Sequence, residues 1–277
     1  MFQQWNQASV VQVRLDIKLG PVGYSHSSNG PAPDYVGIIT DPVTAHPNPV
    51  TAGLTGEVQV DSRYPEKPGN LVLGANANRQ ALAALAEFGA VNNTHIWPQL
   101  GHAGALASPL ISQPKGPSSL QLEDLRCAGM TLAEIRLLPA MYANAALLAQ
   151  VVGFTGVQIH AGHGFLLSQF LSPLFNHRQD QYGGSIQLRC RLIVEIIGKV
   201  RDAVGPHFPI GIKINSSDQL DGGLTKQDAL ELIRILDRTS LDLIEIIGVT
   251  YFPWPKPAQT APHLGPISPV FLSKPSG

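Results

Sequence analysis

Cysteine is almost missing. Cys127 and Cys190 are the only two in 277 residues, far apart and without CxxC spacing. That fits a reducing compartment and excludes a cysteine-built zinc site. Charge of either sign is nearly balanced at a formal -1, so neither nucleic acid nor an anionic membrane surface is an expected partner. No window approaches the ~18 uninterrupted apolar residues of a membrane span. The opening "MFQQWNQASVVQVRLDIKLG" lacks a basic start followed by a continuous apolar run, so no signal peptide is expected. A soluble, cytoplasmic protein is the expectation. What is present is core material: 44% of residues are hydrophobic, too many for global disorder and enough for one large α/β domain or two small ones.

Strand-like and helix-like segments alternate through the middle. "GLTGEVQV" (Gly53–Val60), "THIWPQL" (Thr94–Leu100), "TGVQIH" (Thr155–His160), "FPIGIKINSS" and "LDLIEIIG" read as five strands. A helix begins at Thr131, where Thr131 and Glu134 have capping-box spacing; its Pro139 either kinks it or moves the start downstream. "SIQLRCRLIVEIIGKVRDAVG" (Ser185–Gly205) has the clearest helical period, and "TKQDALELIRILDR" starts on Thr225 with Asp228. Apolar strands separated by helices mean a parallel sheet covered on both faces. The number of units favours a TIM-type (β/α)8 barrel over a doubly wound sheet, and no GxGxxG follows any strand. Five strands are fewer than eight, so the barrel is expected to be incomplete. Three segments are expected: a divergent or poorly ordered stretch at 1–52, a partial barrel at 53–250, and a Pro-rich tail at 251–277 that no helix or central strand can traverse.

In such barrels, residues at the carboxyl ends of the strands line the active site. Gln99, His102, His160, His163, Phe165 and Lys213 fall there. His160 ends its strand and His163 follows in the turn, so two imidazole N–H groups can point at one oxygen and stabilise charge developing on it. Metal ligation is the rival reading, but no suitable third ligand lies close in sequence. Structural histidines satisfied by loop carbonyls are another.

These residues also carry a resemblance. "QIHAGHGFLLSQFLSPLFNHRQDQYGGS", with "TGEVQVDSRYPEKPGN" (Thr55–Asn70), "WPQLGHAG" (Trp97–Gly104) and "FPIGIKINSSD" (Phe208–Asp218), resembles successive blocks of the Old Yellow Enzyme family. These are FMN-dependent ene-reductases and NAD(P)H:flavin oxidoreductases. The resemblance implies FMN across the carboxyl end of a TIM barrel, reduced by NADH or NADPH. It implies flavin contacts from Thr55, Gly56 and Gln99, a cation from Lys213 near flavin N1, and His160 and His163 gripping the oxygen of a small activated alkene.

Several positions depart from the family pattern. Phe165 stands where the family has a proton-donating tyrosine, so loss of a general acid worth ~10²–10⁴-fold is expected. Ala105 stands where the "HAGR" block has arginine, and "SIQLRCR" replaces "SLENRAR". The last two barrel strands, which build the phosphate site, have no counterpart, so weak flavin affinity is expected. Exposed strand edges would invite aggregation or association with another copy, giving a homo-oligomer. The expected activity is reduction of the C=C bond of an α,β-unsaturated carbonyl compound, as in a natural-product pathway. Two alternatives stand beside it: a non-catalytic family member that binds no flavin, and a flavin-dependent isomerase that returns the hydride for want of an acid.

Overall fold

A computed structural model describes residues 52–90, 94–122 and 125–248, with short strands at Gln3–Gln4, Val13–Leu15, Gly37–Thr40 and Val270–Ser273. Most of the expected 1–52 segment and of the Pro-rich tail lie outside the described residues. The architecture is that of a parallel α/β barrel, seen as an arc. Strands β1 (Ala52–Gln59), β2 (His95–Gly101), β3 (Val157–Ala161), β4 (Ile210–Asn215) and β5 (Leu243–Ile247) pair in parallel and in chain order. Gly37–Thr40 flanks β1 and Val270–Ser273 flanks β5, both antiparallel. Among the described residues the strand order is linear rather than closed.

The five expected strands all form. Helices α1 (Arg79–Gly89), α2 (Leu132–Val151), α3 (Leu166–Leu171), α4 (Ile186–Arg189), α5 (Arg191–Val204) and α6 (Lys226–Leu236) join them. Helix α1, capped by the Asn78 side chain, was not anticipated. The expected 185–205 helix is divided, because Cys190 ends α4 and starts α5 with φ -88 and ψ -5.

Thr131 and Glu134 form the expected capping box of α2, and Pro139 neither ends the helix nor moves its start. An interior proline costs ~3 kcal/mol. Ile135, Leu138 and Tyr142 are buried on the same helix, at roughly 1.5–3 kcal/mol per large side chain, so packing prevails. By length and composition α2 could cross a membrane, but 44% of its apolar window is buried and it packs along α5. It reads as the core helix of this fold.

Strand faces divide the labour. Val58, Ile96, Leu100, Val157, Ile159 and Ala161 join the helices in one core. The opposite faces of β2 to β5 carry Gln99, Gln158, His160, Lys213 and Glu245, which sit beside one another in register. The interior of the arc is therefore polar near its carboxyl end, which places the site there.

Candidate active site at the carboxyl ends of the strands

His160, 1% exposed, ends β3, and the chain turns sharply after it. Gly162 keeps this turn close to its neighbours, since a Cβ there would lie 2.8 Å from Ile247 Cδ1 and 3.1 Å from Asn215 Oδ1. His163 adopts φ 57, the left-handed region that a non-glycine residue enters at a cost of order 1–3 kcal/mol. Its N–H donates to Asn215 Oδ1 at 2.9 Å, which pins the strained residue to the end of β4.

The two imidazoles meet edge to face, with ring centroids 5.1 Å apart and planes at 87°. The Gly162 N–H donates to His160 Nδ1 at 3.3 Å, so the His160 hydrogen resides on Nε2. That Nε2 lies 3.3 Å from His163 Nδ1 and, in this tautomer, donates to it. Where two N–H groups converging on one oxygen were expected, the two rings are in contact with each other. The left-handed turn sets the rings perpendicular, and they act in series. Burial, with the neighbouring His163 and Lys213 charges, drives the His160 pKa well below the usual imidazole range. Burial and Lys213 lower that of His163 to about 3. Both rings are neutral donors.

A buried polar chain runs across the interior from β2 to β5 and back to β4. Gln99 Nε2 donates to Gln158 Oε1 at 2.6 Å, and Gln158 Nε2 donates to Glu245 Oε2 at 2.7 Å. Glu245 Oε1 in turn lies 3.1 Å from Lys213 Nζ. Lys213 is also the register partner of His160, so the cation and the histidine pair share one layer.

Thr55 and Gly56 form a bulge, the register stepping from Leu54 opposite Trp97 to Glu57 opposite Gln99. Thr55 Oγ1 accepts from the Gln99 N–H at 3.1 Å, which ties the bulge to the strand bearing Gln99. Phe165 precedes α3, its ring centroid 5.1 Å from that of His160, in an apolar cluster with Tyr64, Ala103 and Ala107. His102 lies just beyond β2, stacked on Tyr64 at 4.9 Å, and its Nδ1 accepts from the Gly104 N–H at 2.9 Å. It belongs to a neighbouring buried group with Asp61, whose Oδ2 is 4.0 Å from His102 Nε2. Burial lowers the His102 pKa to about 4.

The structure thus brings Gln99, His160, His163, Phe165, Lys213 and the Thr55–Gly56 bulge to one end of the sheet. Residues 49–266 match the model of the NADH:flavin oxidoreductase / NADH oxidase family. The chain belongs to this family. Among its relatives, the NADH-dependent flavin oxidoreductase nadA of Aspergillus parasiticus is 34% identical over 216 residues, covering 73% of this chain and 48% of that protein. Morphinone reductase in complex with tetrahydroNAD is 26% identical with a TM-score of 0.60, covering 68% of this chain and 58% of that one. Old Yellow Enzyme from Pichia sp. AKU4542 is 25% identical with a TM-score of 0.61, covering 67% and 54%. The resemblance and the barrel fold read from the sequence are both borne out. The chain spans about half the length of the curated relatives it matches.

Sequence reasoning missed Gln158, Glu245 and Asn215. A signal existed: each is a polar residue within or ending an otherwise apolar strand, "VQIHA", "LIEII" and "IGIKIN".

Proposed function

We propose that this chain is an FMN-dependent oxidoreductase that takes reducing equivalents from NADH or NADPH and reduces the C=C bond of a small α,β-unsaturated carbonyl compound. The observation that carries the reading is the neutral His160–His163 pair beside Lys213, at the strand ends of a flavin oxidoreductase fold.

The residues present fit a flavin. Among the described residues Gln99 Oε1 accepts no hydrogen bond, so it is available to the imide N–H of the pyrimidine edge. Lys213 keeps hydrogens beyond the one directed at Glu245 and brings positive charge toward a ring that becomes negative on reduction. The Thr55–Gly56 bulge offers backbone groups beside Gln99. Bound FMN supplies the hydride chemistry.

The protein's part is to hold and polarise the acceptor. His163 donates from Nε2 to the carbonyl oxygen, and His160, donating to His163 Nδ1, keeps that ring oriented and neutral. Withdrawing electrons through the oxygen makes the β-carbon a better hydride acceptor. Phe165 has no proton to give, so the α-carbon must be protonated by water.

The test is an absorption spectrum of the protein after incubation with FMN and gel filtration, then anaerobic addition of NADH or NADPH and of a cyclic enone. Retained flavin that bleaches and is reoxidised by the enone supports the reading. Loss of all flavin on the column refutes it. Phe165 against His160 favours one second reading, an isomerase that takes the hydride back after bond rotation. Rearranged enone with no net consumption of nicotinamide would identify it.

A further inference from the structure

Glu57 is the odd residue of the interior. It follows the bulge on β1, pairs in register with Gln99, and extends over the end of β2. A Cβ on Gly101 would collide with the Glu57 carboxyl, so the glycine is what makes room for it. Both carboxyl oxygens are buried and neither has a hydrogen-bond partner among the described residues. Gln59, two residues on, is fully buried. Its Oε1 accepts from the Ala103 N–H at 3.1 Å, while its Nε2 is buried and unpaired. The Gln59 side chain lies close enough to act on the Glu57 carboxyl, and Gln99 Oε1 on the adjoining strand accepts no hydrogen bond among the described residues.

Leaving buried polar groups unpaired costs roughly 1–3 kcal/mol each. The Glu57 carboxyl and Gln59 Nε2 on the inner face of β1, with Gln99 Oε1 beside them on β2, form a set that a ligand of matching polarity would satisfy. Gln99 Oε1 requires a donor and Gln59 Nε2 requires an acceptor. A carboxyl in its acid form does both. The edge that answers this set is a carbonyl–NH–carbonyl run.

We propose that Glu57, together with Gln59 and Gln99, recognises the imide edge of the flavin ring. The inference rests on the flavin reading above and adds Glu57 to it. Gln99 Oε1 accepts from the imide N–H, and the Glu57 O–H and Gln59 Nε2–H donate to the flanking carbonyls. Burial first, then the nearby Glu66, raises the Glu57 pKa well above the carboxylate range, with Gln59 and Lys67 opposing. That direction favours the protonated, donating form of the group. Ionising it would set a negative charge against two carbonyl oxygens, so flavin binding weakens as pH rises.

The experiment titrates FMN fluorescence quenching on the wild type, Glu57→Gln and Glu57→Ala between pH 6 and pH 10, alongside thermal unfolding without FMN. Glu57→Gln, whose amide also donates, is expected to bind with little pH dependence, while the wild type weakens as pH rises. Glu57→Ala is expected to bind about tenfold less tightly at pH 6, the worth of one good hydrogen bond. Without ligand, Glu57→Gln should melt higher than the wild type at alkaline pH. A raised acid pKa gives stability that is complete below the unfolded value near 4.3 and is lost as pH rises. If the alanine variant fails to fold, the comparison of wild type with Glu57→Gln decides alone. Equal FMN affinity with parallel pH profiles in those two would overturn the role of Glu57 and leave the flavin reading standing. No FMN binding by the wild type at any pH would remove both.

Discussion

Lys213 Nζ lies 3.1 Å from Glu245 Oε1, and both side chains are largely buried. The positive group of the site is thus partly neutralised by a carboxylate on the next strand, which is itself held by Gln158. Replacing Glu245 by Gln keeps an acceptor for Lys213 and removes one negative charge. A reduced flavin carrying negative charge would then be favoured. The expected outcome is a rise in the two-electron potential of bound FMN of about 30 mV, equivalent to ~1.4 kcal/mol. Dye-equilibrated reduction of the reconstituted variant measures it, and an unchanged or lower potential contradicts this account of the pair.

Phe165→Tyr restores a hydroxyl beside His160. Single-turnover reoxidation of reduced enzyme by an enone should accelerate by at least ~10²-fold, the low end of what a general acid contributes. If the rate does not rise, protonation is not what the ring at position 165 withholds.

The neutral histidines make the fold sensitive to acid. The pKa values of His102 and His163 fall to about 4 and about 3, and that of His160 lies well below normal. In the unfolded chain each takes up a proton near pH 6.5. Between that pH and the depressed folded values the unfolded state binds more protons, so stability is lost as pH falls through this window. Urea unfolding between pH 7.5 and pH 5 should show a declining midpoint. Each histidine contributes at most ~1.4 kcal/mol per pH unit. His163→Gln should flatten the decline, and an equally steep profile in that variant would exclude the assignment.

Asn215→Ala removes the acceptor that holds His163 in its left-handed turn. The fold should persist, because β4 pairs with strands on both sides. A displaced histidine donor should reduce kcat/KM for an enone by ~10²-fold, the scale of a 1 Å misplacement. Asn215→Asp retains the accepting oxygen and should recover part of the loss. Equal loss in both variants would mean that the side chain acts in some other way.

The barrel was legible because parallel strands buried on both faces leave unbroken apolar runs, and because Thr131 and Thr225 start their helices with side chains three residues ahead. The His160–His163 pair was legible by position at a strand end. Its hydrogen-bond order was not, since that depends on a backbone angle at His163 that no periodicity reports. The division at Cys190 was hidden because an apolar period continues across it. Helix α1 was missed because its buried face amounts to Leu82 and Ala86 alone. Glu245 and Gln158 read as interruptions within apolar strands, and only their cross-strand register shows that they touch.

The bulge at Thr55–Gly56 has a consequence for anyone reworking this strand. Leu54 shares a face with Trp97 and Glu57 shares one with Gln99, so even numbers point inward before the bulge and odd numbers after it. A library that alternates positions from Leu54 onward would reach the binding face in its first half. In its second half it would instead randomise Val58, in the structural core. Deleting Gly56, by contrast, would shorten the strand without exchanging its two faces.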